Sequence, residues 1–306
     1  MRQGGKLALL LTVALLAAGT AISQTRSITI ASEPSAKVFI DGVLYGKTNK
    51  DGQLEIKSVA TGAHTLMLRC DGFKEKSQPL AATGRGEIRV PLVKTTDEAE
   101  LAFQEAERLT FEDRDKAIAA YQRAIKLRPN YPEAYVAMAR VQADALDVEG
   151  AKKSIQTARR LRPSYAEASA VEGRIHKDND EEALAIVSFK RAIAEGHGFQ
   201  PEAYTGLGLL YKEKAESFGG SGNFTNEDAN YVESAKDLKI ALKQLSGAPD
   251  SVVVYQLLGL IYERQKKWDY AIALYEEFLR LFPNIPESDA VRSFIVQIQK
   301  ERAQNP

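Results

Sequence analysis

The chain has 306 residues, 27% charged and 44% hydrophobic, with 41 basic against 41 acidic side chains and a formal net charge of zero. This is a soluble composition with room for about two domains, and its balance argues against nucleic acid as the main ligand, because phosphate binding needs concentrated, uncompensated positive charge. A single cysteine, Cys70, excludes an internal disulfide and a Cys-rich metal site, and His64, His176 and His197 lie far apart without ligand spacing.

At the amino terminus, Arg2 and Lys6 precede the apolar run from Leu7 to Ala18. A charged start followed by an apolar core of this length is the pattern of a secretory signal. Ala21 and Ser23 place small residues where cleavage needs them, so residues 1–23 read as a signal peptide cut after Ser23. The mature protein is then expected in the periplasm or cell envelope, with no stable membrane span left. The alternative is an uncleaved anchor, but the run is short for a bilayer span of about 20 residues. No cysteine closes the run, so a lipoprotein anchor is not available.

Residues 24–94 change period. Ile28 and Ile30 alternate with polar neighbours, as do Val38 and Ile40, Leu54 and Ile56, Leu66 and Leu68, and Ile88, Val90 and Leu92. Period two puts these aliphatics on one sheet face. Asp41-Gly42 between Phe39-Ile40 and Val43-Leu44 is a strong hairpin signal, and Asp51-Gly52 and Asp71-Gly72 repeat its chemistry. Six or seven short strands are expected to form a compact antiparallel sandwich. Cys70 shares the parity of Leu66 and Leu68 and is expected to face the core as a small apolar residue.

The stretches Ser32 to Val38, Ile40 to Gly46, Thr61 to Leu66 and Asp71-Gly-Phe73 together resemble the PEGA domain, a small β-sandwich of exported bacterial proteins. Pro34-Ser35-Ala36 departs from the namesake motif, and a carboxypeptidase-regulatory-like sandwich is the closest rival. Neither resemblance implies chemistry at these positions.

From Thr95 the pattern becomes helical, with Thr96 or Asp97 as the first cap. Ala117 maps to Ala151 and Ala185, Tyr121 to Ile155 and Phe189, Ala124 to Ala158 and Ala192, and Pro129 to Pro163. This is a period of about 34 residues, the signature of stacked helix pairs that cannot bury their apolar faces alone. Tyr255, Leu258, Gly259 and Tyr262, then Ala271, Tyr275, Phe278 and Pro283, give its clearest form. These residues resemble the tetratricopeptide repeat, and the resemblance covers essentially all of the remaining chain. It implies five units, at 95–130, 131–164, 165–200, 201–250 and 251–284, and a capping helix and tail at 285–306. The fold class is therefore multidomain α+β, a small all-β sandwich followed by an all-α solenoid. Two irregularities stand out. Glu105 occupies a small-residue position in unit one unless the register slips by one. Unit four carries extra residues around Ser217 to Asp228, read as a flexible loop between its helices.

No enzyme motif is present: no Gly-x-Ser-x-Gly, no His-Glu-x-x-His and no phosphate loop. The acidic run Asp178 to Glu182 lacks the spacing and glycine of a calcium loop. No catalytic residue, cofactor or metal is expected. The repeat resemblance implies instead a groove lined by first helices, carried here onto Val136, Arg140 and Ala143; Ala170, Arg174 and Lys177; Thr205, Leu209 and Lys212; Gln256, Leu260 and Glu263. The cations among them suggest a basic track for an extended, partly acidic peptide of a protein partner. Charge reversal at Arg140 and Arg174 is expected to spare folding and weaken capture. The favoured function is an exported interaction scaffold whose sandwich docks or spaces it in the envelope. The alternatives are an accessory subunit of an envelope enzyme or secretion complex, and a cell-wall glycan binder using Phe39, Tyr45 and Phe73.

Overall fold

The computed structural model describes residues 25–304; the signal-peptide reading of residues 1–23 lies outside them. Seven strands come first: β1 (Thr25–Ala31), β2 (Lys37–Ile40), β3 (Val43–Lys47), β4 (Gln53–Ala60), β5 (His64–Arg69), β6 (Lys76–Leu80) and β7 (Gly86–Arg89). They form two sheets, ordered β4-β1-β7 and β3-β2-β5-β6. The alternating aliphatics meet between the sheets, where Ile28, Ile30, Val38, Leu66, Leu68 and Val90 are almost fully buried. Cys70 belongs to this core. At the β2–β3 turn Asp41 and Gly42 both have positive φ, the backbone of a hairpin turn whose twist matches its strands. The sandwich is not wholly antiparallel. β7 lies parallel to β1, with Ile30 beside Ile88, because the chain crosses from the second sheet back to the first after β6.

Eleven helices follow among the described residues: α1 (Glu98–Leu109), α2 (Arg114–Leu127), α3 (Pro132–Asp144), α4 (Val148–Leu161), α5 (Ala166–Asp178), α6 (Glu182–Glu195), α7 (Pro201–Gly220), α8 (Phe224–Leu245), α9 (Ser251–Arg264), α10 (Trp268–Leu281) and α11 (Glu287–Gln304). They pack as five antiparallel pairs, each stacked on the next, with α11 against α10. Asp97 caps α1 by accepting from the backbone N–H groups of Ala99 and Glu100. Asp113 and Asp147 cap α2 and α4 in the same way. Pro132 and Pro201 sit in the first turns of α3 and α7, where a missing N–H costs nothing. The periodic alanines 117, 124, 151, 158, 185 and 192 are fully buried between helices. In unit one the register does slip by one: Ala106 is fully buried and Glu105 is not.

The extra residues of unit four form no loop. They lengthen both helices, α7 to 20 residues and α8 to 22, and leave a turn of Ser221 to Asn223. α7 stays helical through Gly219 because it packs along α8, where Glu227 is buried against it and accepts from Arg264 at 2.8 Å.

The sandwich and the helices share interfaces. Arg69 lies over the rings of Phe39 and Phe103, 5.5 and 4.9 Å from their centroids, and donates to Glu107 and Glu75. Lys37 also reaches Glu107, at 3.0 Å. Gln104 accepts from Gly72 N–H and donates to the Phe73 carbonyl, both at 2.8 Å. These contacts fasten the sandwich to α1. A second set lies at the end of α8. Tyr45 donates its hydroxyl to the Leu245 carbonyl at 3.1 Å, and Val43 joins the apolar core of units four and five. The sandwich thus ties the first helix of the array to the junction of its last two pairs.

Candidate partner-binding cavity

Beside the second attachment lies a half-open cavity of about 890 Å³. Its floor is made by first helices of successive pairs: Arg140 from α3, Arg174 and Lys177 from α5, Thr205 and Leu209 from α7, and Val253 from α9. The turns between pairs add Tyr165, Phe199 and Asp250, and the β2–β3 hairpin adds Asp41 to Leu44. Five of the residues expected from the sequence, Arg140, Arg174, Lys177, Thr205 and Leu209, are therefore brought together.

The others are not. Val136 is 1% exposed and packs between units two and three, and Ala170 is buried against Phe189, so neither reaches the cavity. Val136 lies four residues before Arg140 and faces inward because the adjacent pair covers that side of α3. Lys212 lies on α7 outside the lining and pairs with Glu216 at 2.6 Å. Gln256 and Leu260 are exposed on α9, likewise outside the lining.

The basic track does not form. Arg140 donates two parallel hydrogen bonds to Glu202, at 2.7 and 2.6 Å, across the repeat between them. Burial works against both charges, but each outweighs that cost for the other: the guanidinium is held more basic, and the carboxyl lies below its ordinary range. Arg174 approaches Asp144 at 3.4 Å, and Lys177 lies 3.3 and 3.4 Å from Asp178 and Glu213. The lining holds five carboxylates, Asp41, Glu167, Asp178, Glu202 and Asp250, against three cations, so its excess is acidic. Charge reversal at Arg140 would set it against Glu202 and Glu167 and disturb the array as well as the cavity.

Asp250 differs from the other carboxylates. It precedes α9 but caps no backbone N–H there, and it forms no ion pair among the described residues. The residue is exposed, but partial desolvation and the nearby Glu202 raise its carboxyl above the usual range against the opposing pull of Arg140. Sequence reasoning missed Glu202 and Asp250, which read as ordinary residues of helix starts. It also missed the hairpin, since nothing local shows that a β-turn reaches an array some 200 residues further on.

The aromatics of the glycan reading are engaged by the fold. Phe39 lies under Arg69, Tyr45 is hydrogen-bonded to Leu245, and Phe73 packs on the sandwich core. No group of His, Cys, Asp and Glu suited to a metal occurs among the described residues. None of the described helices is long and apolar enough to cross a membrane.

Family models match the chain in three places: a PEGA domain over residues 25–92, a TPR repeat over 113–144 and a tetratricopeptide repeat over 252–285. No curated protein matches it. Among solved structures, yeast Tom70 aligns over 68% of this chain and 41% of its own, at 17% identity and a TM-score of 0.54, a likeness of fold. A thermophilic TPR protein of Thermus thermophilus aligns over 66% and 98%, at 19% identity and a TM-score of 0.46. The MamA protein aligns over 62% and 94%, at 24% identity and a TM-score of 0.41. The chain thus carries a PEGA domain at residues 25–92 and tetratricopeptide repeats at 113–144 and 252–285, the repeats lying within a TPR-like solenoid of eleven described helices.

Proposed function

We propose that the protein is a non-enzymatic interaction scaffold, exported to the bacterial cell envelope, that recruits another protein through the cavity on its first helices. The observation carrying this reading is the cavity itself: an open concavity of about 890 Å³ whose floor comes from successive repeats. Repeat arrays present such extended concave surfaces to partners. Leu209, Thr205 and Val253 offer apolar contact there, and Arg140, Arg174 and Lys177 are held in place by ion pairs rather than free to wander. Export rests on the charged and apolar amino-terminal pattern with small residues at 21 and 23.

Pull-down from envelope extracts with the full chain tests recruitment. A defined protein should be retained by the parent and lost with Leu209→Glu and Val253→Glu, while Val232→Glu on α8 keeps it. Equal retention by all variants would remove the cavity from the account. Amino-terminal sequencing tests export: the mature chain should begin at Gln24, and a chain still beginning at Met1 would refute cleavage.

A further inference from the structure

The β2–β3 hairpin is part of the cavity wall, and this bears on what enters. Val43 packs into the core of units four and five, Tyr45 is bonded to the end of α8, and Leu44 lines the cavity beside them. A segment seated here meets sandwich and helices together.

The chemistry of the wall is specific. Apolar surface comes from Leu44, Leu209 and Val253, the last 48% exposed. The charges are unbalanced, five carboxylates against three cations, and Arg140 is already committed to Glu202. Asp250, exposed beside that pair, accepts from no helix N–H and has no salt-bridge partner among the described residues, with Arg140 the cation that acts on it from nearby. An acidic ligand would meet like charge here, whereas a basic one completes the pairing.

We infer that the cavity is a two-domain recognition site for a short partner segment carrying a basic residue next to an apolar one. The basic side chain pairs with Asp250 and Glu202, and the apolar one lies between Leu209, Val253 and Leu44. The sandwich is then a determinant of specificity rather than only a spacer. This inference rests on the scaffold reading and narrows it.

The test uses the full chain and two fluorescein-labelled peptides, Gly-Leu-Arg-Leu-Gly and Gly-Leu-Glu-Leu-Gly, with acetylated amino termini, followed by fluorescence anisotropy. The arginine peptide should bind saturably and the glutamate peptide should not. Asp250→Asn should weaken the arginine peptide about tenfold, and Leu44→Ser severalfold, with circular dichroism showing both variants folded. Equal binding of the two peptides, binding of neither, or indifference to both substitutions overturns the inference. The scaffold reading is judged separately. A protein retained in the pull-down and lost with Leu209→Glu, but unaffected by Asp250→Asn and Leu44→Ser, leaves the scaffold standing and removes the two-domain site.

Discussion

Arg140 and Glu202 join units two and four through a bidentate ion pair, Nη1 to Oε1 at 2.7 Å and Nη2 to Oε2 at 2.6 Å. Both side chains are about 30% exposed, so water screens the pair only in part. Removing one partner strands the other charge in a half-buried site. Arg140→Ala and Glu202→Ala are each expected to cost about 1–2 kcal/mol in urea unfolding, below the range for fully buried pairs. The double variant should cost less than the sum, with a coupling of about 1 kcal/mol. Additive costs would show that the pair contributes nothing of its own.

Phe189 is held between two glycines of adjacent units. A Cβ at Gly173 would stand 2.5 Å from its ring, and one at Gly206 would stand 2.3 Å from the ring's far end. The ring cannot retreat from one without striking the other. Gly173→Ala is therefore expected to destabilise by roughly 1–3 kcal/mol as an overpacking change. Gly220→Ala, at the end of α7 with open space around its Cβ, should be neutral or stabilising by up to about 1 kcal/mol. Thermal unfolding of the two variants checks the contrast.

Asp237 gives the stability a pH dependence. Burial on α8 pushes its carboxyl up from 3.8 to about 6. The folded chain thus holds this proton more tightly than the unfolded chain does. The resulting stabilisation is full below about pH 4 and is lost as pH rises through about 6, where the native state takes on a buried charge. At one pKa unit per 1.36 kcal/mol the cost is roughly 2–3 kcal/mol at most. Asp237→Asn should be more stable than the parent at pH 8 and nearly equal to it at pH 4. A difference that does not change with pH would contradict this assignment.

Cys70 should be inert in the folded protein. It lies in the sandwich core with its Sγ 3.6 Å from the Pro34 carbonyl oxygen, and burial raises its thiol, with Asp71 and Glu33 adding to the effect. Less thiolate and less access both slow attack. Labelling by a disulfide reagent should be roughly tenfold or more slower than for the urea-unfolded chain. Equal rates would place the thiol outside the core.

Much of the fold was legible because its signals are local and periodic. The alternation of Ile28 with Ile30 and of Leu66 with Leu68, broken by Asp41-Gly42, marks sheet faces and a turn whose positive φ angles favour those residues. The 34-residue return of Ala117 at Ala151 and Ala185 marks the buried seam of the helix pairs. The errors arose where tertiary contacts override local preference. The stretch around Ser217 to Asp228 read as a flexible loop, yet packing on α8 carries α7 through Gly219 and Gly220. The cavity was only half legible. Helix position placed Arg140, Arg174, Lys177, Thr205 and Leu209, but Arg140 meets Glu202 at a separation of 62 residues and Tyr45 meets Leu245 at 200. No local pattern encodes such pairings, so the acidic excess and the hairpin wall emerged only in three dimensions.

The most direct test of the scaffold account is site-specific photocrosslinking in living cells, with a benzophenone side chain at position 253 or at position 232. Val253 and Val232 are similarly exposed, 48% and 50%, but only Val253 lines the cavity. The account predicts a discrete crosslinked protein from 253 and none from 232. The same product from both positions, or none from 253, would contradict it.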